Sequence, residues 1–180
     1  MSRAKATRAE LIAAVVDGGR RLSTATIVFH ETVAERLGLH TTDHKCLGIA
    51  QEAGPITAGE LASRTGLTTG AITGVIDRLE SRGFVRREAD PVDRRKVVVR
   101  VVAERVEREV RPLFESLAGA VTALAKTYDE AQLRIVTDYM EDARAVLEAE
   151  AARLRSSPAP RASARSGKRG GKAQKPRGSA

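Results

Sequence analysis

Only one cysteine, Cys46, occurs in the 180 residues, so the chain can form no internal disulfide and no cysteine-cluster zinc site. No uninterrupted apolar run reaches the ~18 residues that a membrane span needs, and the polar start Met1-Ser-Arg-Ala-Lys is followed by no signal-peptide core. These absences predict a soluble, cytoplasmic protein with no membrane contact. Also missing are a nucleophile elbow, a phosphate loop, metal-ligand spacing and a paired-carboxylate site, which argues against an enzyme and against a metal or other cofactor. The C-terminal end lacks acid altogether. From Arg153 onward there are nine Lys and Arg residues and no Asp or Glu, which leaves about −1 of the whole-chain +8 for residues 1–152. Contact between the body and a polyanion therefore depends on where its charges lie.

This length suits one domain with a core, plus tails. Five segments are expected: a flexible N-terminus over 1–7, a long helix over 8–36, a central domain over 37–103, further helices over 104–152 and a disordered basic tail over 153–180. The stretch after Arg155 is built from Ser, Pro, Ala, Gly, Gln, Lys and Arg, and cannot bury enough surface to offset ordering entropy. It reads equally well as a non-specific DNA-binding arm or as a solubilising terminus.

Helical spacing of Leu11, Val15, Leu22 and Val33 predicts the first helix. Gly18-Gly19 inside it predicts a kink or, preferably, the close approach of a partner helix. A second helix is expected from Thr42, as its cap, to Ala53, with Gly54-Pro55 stopping it. Thr57 can cap a short helix carrying Leu61 and Ala62, Thr65-Gly66 makes a break, and Thr68 can cap the next helix, whose inward face is Ile72, Val75, Ile76 and Leu79. The period then changes. Phe84–Glu88 and Lys96–Val102 are rich in β-branched residues around the turn chemistry of DPVDRR, which predicts a hairpin. Helix, tight turn, helix and hairpin together make a winged helix-turn-helix, mainly α with a small β wing.

Beyond it, Val106, Val110, Leu113, Leu117, Val121 and Leu124 recur at helical steps, as do Leu133, Val136, Met140, Ala143 and Leu147. Asp129 is placed to cap the last helix, and Pro112 should bend the one before it. These helices have too little body of their own to cover, so a homodimer is expected in which two copies bury each other's stripes.

A B-form major groove admits one α-helix, and the helix capped by Thr68 carries small, polar residues on its first turns: Thr69, Gly70, Thr73 and Gly74. Threonine hydroxyls can bond phosphates or base edges, and threonine methyls can touch a thymine methyl. Arg78 and Arg82 are better placed for the backbone than for base edges. Between Arg78 and Arg100 lie eight basic residues against four acidic ones, densest at Arg94-Arg95-Lys96 on the hairpin tip. A wing there can insert an arginine into a narrow minor groove. Double-stranded DNA is the expected partner.

The run from Leu37 to Val102 resembles a MarR-family winged helix domain. LGLHTTDHKCLGIA is similar to the family's second helix, LASRTGLTTGAITGVIDRLESRGFVRRE to its helix-turn-helix, and DPVDRRKVVVRVV to its wing, with the Asp-X-Arg signature as Asp93-Arg94-Arg95. With flanking helices the resemblance covers about 8–152. It implies a homodimer on a pseudo-palindromic operator, with Arg95 in the minor groove and Asp93 holding the wing arginine. It also implies repression relieved by a small aromatic or anionic effector bound between the DNA-binding lobe and the dimer helices. His30 and His44 fall near that junction, as effector donors or as hydrogen-bonded structural residues. The basic tail has no counterpart in the family pattern.

A metal site using His30, His40 or His44 with Glu31 or Asp43 lacks recognisable ligand spacing. Cys46, between Lys45 and Leu47, reads as a small buried hydrophobe with an inert thiol. Two rival functions stand beside the operator-binding regulator. One is a nucleoid-associated architectural protein that binds through the tail, and the other is a dimeric interaction module that has lost DNA binding.

Overall fold

The computed structural model describes residues 6–157, which fall into two compact units divided at Arg134/Ile135. In the first unit, α1 (Arg8–Arg36) begins in a capping box: Thr7 accepts from the Glu10 amide, and the Glu10 carboxylate accepts from the Thr7 amide. Thr7 is therefore fixed as a helix cap, although it lay within the segment expected to be flexible. α1 runs unbroken through Gly18-Gly19, and apart from the helix's own neighbouring backbone no described residue comes within 4 Å of where a Cβ would stand at either glycine. Intrahelical hydrogen bonds tolerate glycine, so the pair lowers helix propensity without interrupting the helix.

α2 (Thr41–Ala53) follows with His40 at its N-cap and no side-chain cap. Thr42 lies inside the first turn, contrary to its expected role. The chain enters from the buried Leu39, and the His44 amide already bonds the His40 carbonyl, two residues earlier than a Thr42 cap requires. Next come β1 (Ile56–Thr57), α3 (Ala58–Thr65) and α4 (Thr69–Ser81). Thr57 and Glu60 form a second capping box, and the Thr68 hydroxyl accepts from the Ala71 amide to start α4. Between the two helices Gly66 sits at φ +75°, left-handed backbone that a side chain would strain.

α4 ends in a Schellman turn. Gly83 (φ +72°) donates to the Glu80 carbonyl, and the next amide, that of Phe84, reaches back to Leu79. The Phe84 carbonyl in turn accepts from the Val102 amide, so this residue, 1% exposed, ties the end of α4 to both strands of the hairpin. β2 (Val85–Ala89) pairs antiparallel with β3 (Val97–Val101), Arg87 opposite Val99, and β1 pairs on the other edge of β3, Ile56 opposite Val99. The sheet order is β1-β3-β2. The core beneath it joins Leu47, Leu61, Ile72, Ile76, Leu79 and Phe84, all 1% exposed or less.

α5 (Ala103–Glu109) and α6 (Arg111–Ala125) are separate helices meeting at Val110. Pro112 was expected to bend one helix; it stands instead in the first turn of a new one. There its missing amide needs no partner, since the first amides of any helix have none within it. α7 (Glu130–Ser156) opens with Asp129 accepting from the Gln132 amide while Gln132 accepts from the Asp129 amide, so the expected cap is in place. The second unit consists of α7 from Ile135 onward, and no residue of that helix is buried. α7 continues four residues past the boundary expected at 152, so Arg153–Ser156 are helical; the remainder of the basic tail, 158–180, lies outside the described residues. Among the described residues no helix is long and apolar enough to cross a membrane.

Candidate nucleic-acid interface

The pattern of α4 sorts its residues cleanly. Ile72, Val75, Ile76 and Leu79 are buried, as their spacing predicts, which turns Thr69, Gly70, Thr73 and Gly74 to the outer side. Thr68 is committed as the cap, and the Thr73 hydroxyl donates to the Thr69 carbonyl at 3.0 Å. The outer face of the first two turns is thus low in profile, with hydroxyls partly satisfied by the helix itself. A duplex can approach it closely.

The hairpin tip is built by carboxylates that fold the loop onto themselves. Asp90 accepts from the amides of Val92 (2.7 Å) and Asp93 (3.0 Å), which holds its carboxyl below the usual range. Asp93 accepts from both the amide (3.2 Å) and the Nε (3.1 Å) of Arg95. The Lys96 amide closes the turn on the Asp93 carbonyl at 2.8 Å. Arg95 is thereby oriented by Asp93 while its side chain stays 92% exposed. Arg94 and Lys96 are exposed beside it. Three cations project from a short loop, and of these Arg95 alone is paired with an acid, Asp93, a geometry suited to a groove with negative potential.

Arg78 is held differently. Its Nε donates to Asp43 Oδ2 at 2.8 Å and its Nη2 to Oδ1 at 2.6 Å, a bidentate pair joining α4 to α2. Asp43 is 1% exposed and the Arg78 side chain 46%. Sequence reasoning gave Arg78 a DNA contact and gave Asp43 no place in it; a bond between residues 35 apart leaves no local signal. Elsewhere on this face Arg87 pairs with Asp77 and Glu80, and both Arg86 and Arg100 pair with Glu88, so much of the expected basic patch is internally neutralised. Arg82 and, at the wing tip, Arg94 and Lys96 are exposed with no ion-pair partner among the described residues.

His30 on α1 and His44 on α2 do come together, with Nδ1 of the first 3.2 Å from Nε2 of the second. Both line a cavity of about 420 Å³ with Ile27, Lys45, Val110 and Phe114. Phe114 stacks near His44, with centroids 6.3 Å apart, and meets Phe29 edge-on at 5.3 Å. Burial, with a smaller contribution from His30, pushes the His44 imidazole below its ordinary pKa, and the His44 Nδ1 is buried without a hydrogen-bond partner among the described residues. Phe114 escaped sequence reasoning because it lies 70 residues beyond His44 and carried only the pattern of a core residue. Cys46 is fully buried and its thiol is pushed up by that burial, which keeps it protonated. No group of three or more potential metal ligands occurs among the described residues.

Comparison with known proteins fits this geometry. The family model described as "MarR family" matches residues 39–97, from two residues before α2 to the start of β3. The chain is 41% identical over 149 residues to YcgE of Bacillus subtilis (strain 168), an uncharacterized HTH-type transcriptional regulator, covering 83% of this chain and 96% of that one. Its fold is similar to that of a MarR family protein from Bacillus stearothermophilus (TM-score 0.62, 17% identity, 79% of this chain and 99% of the other). It is also similar to the transcriptional regulator Tm0710 from Thermotoga maritima (TM-score 0.55, 21% identity, 78% and 98%). The winged helix-turn-helix, the Asp93–Arg95 wing and a nearly full-length relative agree: the chain belongs to the MarR family of DNA-binding transcriptional regulators.

Proposed function

We propose that the protein is a cytoplasmic, homodimeric repressor that binds a pseudo-palindromic operator and is released by a small aromatic or anionic effector. The observation that carries the DNA-binding mode is the pairing of a low-profile α4 face with an exposed Arg95 buttressed by Asp93. One element suits the major groove and the other the adjacent minor groove. Thr69, Gly70, Thr73 and Gly74 approach the base edges, while Arg94 and Lys96 flank Arg95 on the phosphates.

Dimerisation is supported by apolar side chains left in solvent: Leu11, Val15 and Leu22 on α1, Val121 and Leu124 on α6, and, separately, Met140 and Leu147 on α7. Rows of this length exceed what a monomer ordinarily exposes. Gly18-Gly19 would let a partner helix approach α1 closely. The effector reading is supported by the cavity beside His30, His44 and Phe114. Its wall is apolar and aromatic, Lys45 supplies positive charge, and the unpartnered His44 Nδ1 offers a polar anchor.

Selection of bound fragments from genomic DNA at physiological salt, with the intact protein and Arg95→Ala in parallel, tests the reading. A palindrome recovered by the intact chain and weakened about tenfold or more by the substitution is the expected result. Equal retention of all fragments by both proteins would show an architectural role driven by the acid-free C-terminal segment. No retention by either would leave only the interaction-module reading.

A further inference from the structure

The pair that sequence reasoning missed has a shape that a simple brace does not need. Arg78 stands one turn after Gly74 on the same side of α4. With Nε and Nη2 taken by Asp43, the remaining Nη1 lies 3.4 Å from where a Cβ on Gly74 would be. The guanidinium is therefore laid along the recognition helix, with its third nitrogen over a residue that has no side chain. The charges are also segregated, since the carboxylate is 1% exposed and the arginine side chain 46%. Water sees the cation while the anion is screened by protein. A buried ion pair contributes little net stability over a neutral or apolar pair of similar volume, so packing alone gives weak reason to place one here.

We propose that Asp43 is a positioning residue for DNA contact: from inside the lobe it fixes Arg78 so that the Nη1 edge meets a backbone phosphate beside the major groove. The arrangement holds the arginine in one geometry before the duplex arrives, so little side-chain freedom is lost on binding. Gly70 and Gly74 keep the adjacent surface low enough for the phosphate to come within reach. This assignment rests on the placement of α4 in DNA given under Proposed function.

The test is a salt titration of the intact, full-length protein on the selected palindrome and on a random duplex of equal length. Asp43→Asn/Arg78→Gln replaces the ion pair with a neutral, hydrogen-bonding pair. We expect it to remain a folded dimer, bind both duplexes about tenfold more weakly, and reduce the salt slope by about two, one phosphate per subunit. Asp43→Asn alone keeps the arginine charge and should still lose at least half of that slope. An unchanged slope in the double variant overturns the phosphate contact. A full parental slope in Asp43→Asn overturns the positioning role. If thermal unfolding shows that Asp43→Asn has lost its fold, Asp43→Glu, which displaces the pair by one methylene, takes its place with the same two outcomes. Loss of palindrome preference by the unaltered protein would instead defeat the operator reading, and the random-duplex slopes would still decide this one.

Discussion

The winged lobe and the long helices that precede and follow it in the chain are both rich in apolar residues, yet they dispose of them in opposite ways. From α2 to β3, the side chains that their spacing turns inward are covered by the same chain: Leu47, Leu61, Ile72, Ile76 and Leu79 are essentially inaccessible. On α1 only Val33 and Ala34, next to the lobe, are buried; α6 and α7 have no buried residue. The lobe's apolar side chains are covered within it, whereas α1, α6 and, separately, α7 hold apolar side chains in solvent.

That contrast yields experiments of graded severity. Phe84→Ala empties the point where α4 and both strands meet, and should destabilise the lobe by about 3–5 kcal/mol. Chemical denaturation should show the loss at every protein concentration, and a concentration-dependent loss would erase the distinction between the two regions. Val121→Glu on α6 should raise the dissociation constant of the proposed homodimer about tenfold or more by sedimentation, because burying one valine is worth about 1.5 kcal/mol or more. Far-ultraviolet dichroism of the diluted variant should still report a folded lobe.

The smallest effect is expected at the junction. The folded protein holds the His44 imidazole below its ordinary pKa, so the unfolded chain binds a proton more readily as the solution turns acidic. Stability is then full above the range where a free imidazole titrates and declines as the pH falls through it. Denaturation midpoints at pH 7.5 and 5.5 should differ more for the parent than for His44→Phe, and equal differences would dissociate His44 from the effect.

What the sequence made legible follows the same division. Caps at Thr57, Thr68 and Asp129, the inward face of α4 and the hairpin are local, since each depends on residues within a turn or two of one another. β1 escaped because two residues carry no period, and its pairing with Val98 and Val99 is fixed by the fold. The Asp43–Arg78 bond and the Phe114 wall of the histidine cavity join distant segments and left no spacing to find. The junction at Val110 was half legible: Pro112 marked the place, but a break and a bend look alike until the neighbouring carbonyls have partners.

Phe84 makes α4 and the wing one calliper. Its amide is bonded to the end of the helix, its carbonyl accepts from the chain leaving β3, and its ring is locked in the core, so the jaws cannot open independently. DNA turns fully in about 10–10.5 base pairs, and one inserted pair between the two points of grip would rotate them by about 35°. On the DNA-binding mode proposed above, a regulator with a fixed calliper accepts altered letters within a half-site, at some loss of affinity, but not an altered length.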